Sequence, residues 1–402
     1  MASAALAQQA HPEPARAAGR SWLMLGLLLV FALLVAGCVP RREAPRQLPV
    51  EPVLEPTEPV QTPRLPPDET RNRVAVLVPL SGPNAQLGQS ILNAANLALL
   101  DMGGERFRIT AYDTASGAVP AANEAIAEGS GLILGPLLAE DVRAVAAVAR
   151  RADVPVIAFS NDATVAGDGV FLMGITPQQS VTRVIGFARS RGMGRFGALV
   201  PANVYGERAG RAMAEAVEGA GGQLIGIQTF GRGAGQTAAA ATRLSGQGRF
   251  DAVLIADGPR IALQAAPVLR QASPQPRLLA TELWGSETNL GASVGLRGAW
   301  FAAPSDALFN QFQTRYRARY NARPFRLASL GYDAVLLAVR VSANWPVGRA
   351  FPARALLDPG GFSGVDGAFR FGRDGLADRA LEVREVTATG TSVVSPAARG
   401  FN

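Results

Sequence analysis

Apolar runs and amphipathic segments alternate along most of the chain after Arg73. VAVLVPL at residues 74–80 is almost wholly apolar, which is typical of a strand buried on both faces of a parallel sheet. Leu87, Ile91 and Ala98 then recur at helical spacing and predict a helix that packs by one face. The same strand–helix order continues to residue 162 and starts again near residue 181, which predicts βαβ units with right-handed crossovers.

Two successive sets of such units predict an α/β chain with two doubly wound, Rossmann-like lobes. We expect a folded body over residues 73–388, with a first lobe of about 73–184 plus 306–345 and a second of about 185–305 plus 346–388. A helical pair after residue 306 would return to the first lobe, and short strands after residue 361 would complete the second. Residues 389–402 are predicted to form a C-terminal tail.

The first 37 residues follow a different pattern. Arg16 and Arg20 precede a 16-residue apolar run at residues 22–37, whereas a membrane-spanning helix needs about 20 apolar residues. Basic residues before a short apolar run are typical of an export signal. We therefore predict that residues 1–37 are a signal peptide, the alternative being a core helix that ends in a cysteine.

Residues 38–72 contain nine prolines and scattered charges but show no apolar period. Such a segment cannot bury a core, and its prolines favour an extended conformation. We predict a disordered, proline-rich tether that would reach roughly 100 Å if fully extended. Its reach could be selected to hold the body away from a membrane, or it could be a passive spacer.

Composition excludes several kinds of chemistry. The 402 residues carry a net charge of +7, and all 39 basic residues are arginines that do not cluster with aromatic residues, which argues against nucleic-acid binding. His11 is the only histidine and Cys38 the only cysteine, so a Ser-His-Asp triad, a Cys-His pair and the usual zinc sites are excluded. Carboxylates could still hydrolyse a glycan, but no pair of acids stands out. We expect no enzymatic activity, no cofactor and no metal.

Polar turns follow two of the predicted strands, where ligands bind in open parallel sheets. Ser81, Gly82 and Asn84 offer hydroxyl, backbone and amide groups beside the start of a helix, which suits a carboxylate or another anion. Their alternative role is to cap that helix. Ser160 and Asn161 end a later strand in the same way.

The segments LVPLSGPNAQLGQ, IAFSND, VYGERAG, SLGYDAVLLA and FSGVDGAFRFGRDG, in this order, resemble type I periplasmic binding proteins of the leucine-binding kind. The resemblance covers about residues 73–388 and implies that fold. It also implies that the loops after these two strands bind the carboxylate and ammonium of an amino acid; they carry Ser81, Gly82, Asn84, Ser160 and Asn161. Leu137 and Leu138 depart from the small hydroxyl residues that amino-acid binders usually carry after this strand.

Two residues of the second lobe are candidates on the same grounds. The resemblance implies that the ring of Tyr205 closes over a ligand and that Asp257 faces its ammonium group. Alternatively, Tyr205 packs at the lobe boundary and Asp257 caps the helix that starts near Pro259.

LVAGC at residues 34–38 resembles the lipobox of bacterial lipoproteins, which implies that Cys38 is acylated and becomes the first residue of the mature chain. Val39, in place of an aspartate, implies the outer membrane. With the tether and the binding-protein body, the chain resembles penicillin-binding protein activators. That resemblance implies a non-catalytic lipoprotein, held at the periplasmic face of the outer membrane, that stimulates a peptidoglycan synthase. The alternative is a substrate-binding lipoprotein of an ABC importer for branched-chain or related amino acids.

Overall fold

The structure is a computed structural model that describes residue 68 and residues 70–103, 107–271 and 275–401. The predicted signal peptide, Cys38 and most of the predicted tether lie outside the described residues. Among the residues that are described, no helix has both the length and the apolar character needed to cross a membrane.

The first lobe is built on a five-stranded sheet in the order β2-β1-β3-β4-β5. The strands are β1 (Asn72–Val78), β2 (Phe107–Asp113), β3 (Ser130–Leu134), β4 (Val156–Ala158) and β5 (Val170–Leu172). Every pairing is parallel. All of β1 is buried, as its apolar run predicts.

Three helices connect these strands. They are α1 (Ala85–Asp101), α2 (Ala118–Ala127) and α3 (Ala139–Arg151). Ile91, Ala94 and Ala98 of α1 are buried in the first-lobe core, which is the face that the helical spacing predicts. Alternating strands and helices thus bury the sheet on both sides.

The second lobe is built on a seven-stranded sheet whose order is β15 (Gly390–Ser395), β14 (Glu382–Thr387), β10, β9, β8, β6 and β7. Its parallel strands are β6 (Arg195–Pro201), β7 (Gln223–Phe230), β8 (Ala252–Ile255), β9 (Arg277–Ala280) and β10 (Trp300–Ala303). Its helices are α4 (Pro177–Ser190), α5 (Val204–Gly219), α6 (Gln236–Ser245) and α7 (Pro259–Leu269).

The chain then returns to the first lobe through α8 (Asp306–Tyr320) and α9 (Ala328–Ser342). Phe312 of α8 and Tyr332 of α9 stand edge to face with ring centroids 5.2 Å apart, inside the first-lobe core. The predicted α/β architecture with two doubly wound lobes is confirmed.

The C-terminal strands are divided between the lobes differently from the prediction. A separate antiparallel sheet is formed by β11 (Phe362–Gly364), β12 (Gly367–Phe371) and β13 (Ala377–Arg379). Its aromatic side chains Phe362, Phe369 and Phe371 are buried in the first-lobe core, so the assignment of residues 346–388 to the second lobe is wrong for this segment.

Only the last two strands, β14 (Glu382–Thr387) and β15 (Gly390–Ser395), join the second sheet, and both are antiparallel. Because β15 pairs with β14, this part of the predicted tail belongs to the folded body. The second lobe also begins earlier than predicted, since Val181 and Val184 of α4 are buried in its core.

The lobes are joined by three short crossover segments, at residues 173–176, 304–305 and 380–381. Two buried arginines connect these crossovers. The guanidinium of Arg379 donates to the Met173 carbonyl from Nε and Nη2, at 3.2 and 3.0 Å. Arg384 donates to the carbonyl of Pro304 and to the carboxylate of Asp306. The crossovers are therefore cross-linked by charge-assisted hydrogen bonds.

Candidate functional site

A cavity of about 910 Å³ lies between the two lobes. Its walls are formed by the turn after β4, the start of α4, one face of α5, and the hairpin of β12 and β13. The polar residues that line it are Asn161, Thr164, Thr176, Gln178, Gln179, Glu207, Arg208, Arg211, Glu215, Arg370, Arg373, Asp374 and Asp378. The cavity is thus bounded by side chains of both lobes and of both charges.

The start of α5 brings its charged face to the cavity. Asn203 caps the helix, since its Oδ1 accepts the Gly206 N–H at 2.9 Å. A Cβ on Gly206 would lie 1.8 Å from the Pro201 carbonyl oxygen, so only glycine lets the helix begin this close to the end of β6. Residues 204, 207, 208, 211 and 215 then follow at helical spacing along one face.

Asp162 forms an ion pair that joins the lobes. Its side chain is only 2% exposed, and its Oδ2 lies 2.6 Å from Nη2 of Arg143 on α3 and 2.6 Å from Nη2 of Arg208 on α5. Its Oδ1 accepts the Thr164 N–H and hydroxyl at 3.0 and 2.6 Å. Burial raises the pKa of Asp162, but the Thr164 hydrogen bonds and the Arg208 charge outweigh it and hold the pKa below its ordinary value.

Tyr205 forms hydrogen bonds with other residues of the second lobe. Its hydroxyl lies 2.8 Å from Thr281 Oγ1 and donates to Glu282 Oε1 at 2.9 Å, and Glu282 also accepts a hydrogen bond from the Ser180 hydroxyl. Burial and the Glu282 carboxylate raise the pKa of Tyr205, and burial raises the pKa of Glu282. The half-buried ring packs against the second-lobe core, and Tyr205 does not line the cavity.

The turn after β1 already contains a carboxylate from the protein. Asp113, at the end of β2, accepts the backbone N–H groups of Leu80 and Ala115 at 2.7 and 2.9 Å. Burial raises the pKa of Asp113, but hydrogen bonds from Ser81 and from the turn's backbone outweigh it, so the pKa lies below its ordinary value. Of the residues that we expect to hold a ligand carboxylate in this turn, Ser81 is thus engaged by Asp113.

The predicted residues of this turn do not line the cavity. Ser81, Gly82 and Asn84 are exposed, and none of the three lines it. Asn84 is the N-cap residue of α1, but its side chain makes no capping hydrogen bond within the part of the chain that the structure describes. Gly82 has φ of +70°, a left-handed conformation that favours glycine.

Ser160, Asn161 and Asp257 have three different environments. Ser160 is buried, and its Oγ accepts the Asp162 N–H at 3.1 Å. Asn161 is exposed and is the only predicted ligand residue that lines the cavity. Asp257 accepts the N–H of Gly258, the N-cap residue of α7, at 2.7 Å and does not line the cavity.

Sequence reasoning missed the charged residues that define this site. Asp162 directly follows the predicted Ser160 and Asn161, and an acid at the end of a strand could have been recognised there. Arg208 and Arg211 fall on one face of a predicted helix, which is a weak signal because exposed helices commonly carry such charges. No group of three or more His, Cys, Asp or Glu residues is placed to hold a metal ion among the described residues.

Comparisons with known proteins bear on this arrangement. A family model described as periplasmic binding protein matches residues 72–391. An uncharacterized protein of Rickettsia prowazekii, RP748, is 26% identical over 142 residues, which are 35% of this chain. The match spans only 38% of that relative's length.

Solved structures with this fold include several solute-binding proteins. A putative branched-chain amino acid ABC transporter protein from Rhodospirillum rubrum superposes with a TM-score of 0.71 at 19% identity, covering 81% of this chain and 100% of that one. The leucine binding protein LivK from Thermotoga maritima gives 0.60 at 21% identity, covering 81% and 98%. A solute binding protein from R. palustris in complex with benzoate gives 0.60 at 17% identity, covering 82% and 96%. At these identities the likeness shows the fold.

Proposed function

We propose that this chain, which belongs to the periplasmic binding protein family, is a non-catalytic solute-binding protein that receives a small ligand between its lobes. The observation that carries the proposal is the cavity of about 910 Å³ whose walls come from both lobes. It lies near the upper end of the size range of small-molecule sites. This class of function is supported by the structural relatives, which include a putative branched-chain amino acid ABC transporter protein, a leucine binding protein and a solute binding protein in complex with benzoate.

The family suggests a periplasmic location, and the N-terminal sequence extends the proposal. We propose that residues 1–37 direct export and that Cys38, once acylated, anchors the chain to the outer membrane. The proline-rich residues 38–72 would then act as the tether between anchor and body. Mass spectrometry of the mature protein tests the anchor, because acylation adds fatty-acid mass to an N-terminal Cys38.

A ligand panel tests the binding proposal. The purified full chain would be titrated by calorimetry with branched-chain amino acids, aromatic carboxylates and short peptides. A true ligand at 100 times its Kd should also add about 2.7 kcal/mol to the free energy of unfolding. If no compound of the panel produces heat or a stability change, a solute-binding function is contradicted.

A matched pair of variants localises the site. Ala163 lines the cavity, so Ala163→Trp should fill part of it and weaken binding. Ala239 is exposed on α6 and does not line the cavity, so Ala239→Trp is the control and should bind normally. Equal binding by both variants would place the ligand elsewhere.

A second candidate function is regulation of a peptidoglycan synthase, which would need no free amino acid. It is favoured by the engagement of the turn after β1 by Asp113 and by the apolar Leu137 and Leu138 after β3. Adding the full chain to purified bifunctional synthases should then raise glycan polymerisation or crosslinking. No change with any synthase from the same cell would contradict this candidate.

A further inference from the structure

We infer that the cavity between the lobes takes a short extended peptide with charged ends rather than a free amino acid. The inference rests on the proposed function, because it assigns a ligand class to the same cavity. It is carried by the size of the cavity, by the spacing of its charged side chains, and by a buried acceptor in its wall.

The cavity is too large for a single amino acid to fill. A cavity of about 150 Å³ is sufficient to bind benzene. The space between the lobes measures about 910 Å³, roughly six times as much. A ligand that fills this space must therefore be several times larger than a single aromatic ring.

The charged groups on the α5 wall are spread along the cavity. Glu207, Arg211 and Glu215 are four residues apart, so they form a row of alternating charge on one helix face. Glu207 and Glu215 are separated by about 12 Å along the helix axis at 1.5 Å per residue. An extended chain of three or four residues spans about 10–14 Å. The row therefore has the length of a tri- or tetrapeptide; because both of its ends are negative, the peptide ammonium would pair with a glutamate and the peptide carboxylate with Arg211 or with Arg373 of the facing hairpin.

These α5 side chains are available to a ligand. Within the described residues, none of Glu207, Arg211 and Glu215 forms an ion pair within 4.0 Å, although their spacing would permit pairs along the helix. On the facing hairpin, Arg373 also forms no such pair among those residues, whereas Arg370 is paired with Asp378 at 3.3 Å. Positive and negative groups therefore face the cavity from α5, and a further arginine faces it from the hairpin.

A buried acceptor in the wall suits a peptide N–H. Gln179 lines the cavity near the start of α4, and its Nε2 donates to the Ala377 carbonyl. Its Oε1 is buried without a hydrogen-bond partner among the described residues. Buried polar atoms are normally satisfied, so a rotation of the Gln179 amide that presents Oε1 to the cavity would let a ligand N–H group satisfy it. Peptides carry such donors at every residue other than proline.

Calorimetry with defined peptides tests the inference. The full chain would be titrated with trialanine and tetra-alanine with free ends, with the same peptides acetylated at the N-terminus or amidated at the C-terminus, and with free leucine and benzoate. We expect the free-ended peptides to bind, and either cap to weaken binding roughly 10- to 100-fold through loss of a charged hydrogen bond. Arg211→Gln should weaken binding by a similar factor.

Arg260→Gln is the matched control, because Arg260 is exposed on α7 and does not line the cavity. Its affinity for the peptides should be unchanged. If free leucine or benzoate binds and the peptides do not, the inference is overturned and the proposed function stands. Peptide binding that survives both caps would overturn the requirement for charged ends. Absence of heat with every probe would overturn the inference and the proposed function together.

Discussion

The ion pair between Asp162 and Arg208 is expected to stabilise the association of the two lobes. Replacing Asp162 by asparagine removes the charge but keeps an oxygen that can accept the Thr164 hydrogen bonds. The free energy of unfolding should therefore decrease mainly through the loss of the two arginine contacts, each 2.6 Å long. Asp162→Asn thus isolates the electrostatic part of this contact.

The magnitude follows from the exposure of the partners. A hydrogen bond to a charged group contributes about 1.5–3 kcal/mol, and Arg208 is 27% exposed, so its contact should lie within that range. Arg143 is 54% exposed and should contribute at most about 1 kcal/mol. We expect Asp162→Asn to lower the free energy of unfolding by about 2–4 kcal/mol, and Arg208→Gln to account for most of that loss.

Urea denaturation at pH 7 measures this loss without the screening that a salt denaturant would add. Asp168→Asn is the matched control. Asp168 pairs with Arg150 at 3.7 Å, and both side chains are more than half exposed. This substitution should therefore change the free energy of unfolding by less than about 0.5 kcal/mol. Because the pKa of Asp162 is lowered, its stabilisation should be present above about pH 4 and should be lost as the pH falls through the folded-state value. If Asp162→Asn costs no more than Asp168→Asn, the pair does not hold the lobes together.

Three further variants test the buried groups. Burial and the neighbouring Asp366 raise the pKa of Asp333 to about 7, so between pH 5 and 7 the folded state holds a proton that the unfolded state has released. The free energy of unfolding should therefore fall by up to about 1.4 kcal/mol per pH unit in this range. Asp333→Asn should remove this slope. Gly364→Ala would place a Cβ 2.3 Å from the Asp333 carboxyl group and should cost about 2–3 kcal/mol in urea titrations. Its control Gly186→Ala, at an exposed helical position with no atom within 4 Å, should gain about 0.5–1 kcal/mol. Tyr205→Phe removes the hydroxyl that is hydrogen-bonded to Thr281 and Glu282, and should lower the free energy of unfolding by about 1–2 kcal/mol in the same urea titrations. An unchanged free energy of unfolding would show that these hydrogen bonds are not formed.

Local patterns were sufficient to predict the fold. The apolar run of β1 and the buried face of α1 are both set by residues close in sequence, and both agree with the structure. The assignment of β11–β13 to the second lobe failed for a different reason. The sequence shows that Phe369 and Phe371 alternate as in a strand, but alternation does not identify the core that receives them. That choice is made by contacts with residues distant in the chain, such as Phe171, whose ring centroid lies 5.3 Å from that of Phe371.

The site was only partly predictable for the same physical reason. The polar turns lie at the carboxyl ends of strands, as expected for an open parallel sheet. Their availability to a ligand depends on side chains that arrive from elsewhere. Asp113 reaches the turn after β1 across the parallel register that pairs it with Val78, and Arg208 reaches Asp162 from the other lobe. Neither contact leaves a periodic signal in the sequence.

Asp113 and Asp162 together explain why, in the part of the chain that the structure describes, the charged side chains without an ion-pair partner lie beside α5 and not at the turns after β1 and β4. Each carboxylate supplies, from within the protein, the negative charge that a ligand would otherwise bring to a strand end. A ligand that displaced Asp162 from Arg208 would lose about 1.5–3 kcal/mol, which weakens binding roughly 10- to 150-fold. A ligand that binds between α5 and the β12–β13 hairpin leaves that pair intact and meets Arg211 and Arg373, neither of which has an ion-pair partner among the described residues. Binding beside the pair is therefore favoured over binding in its place.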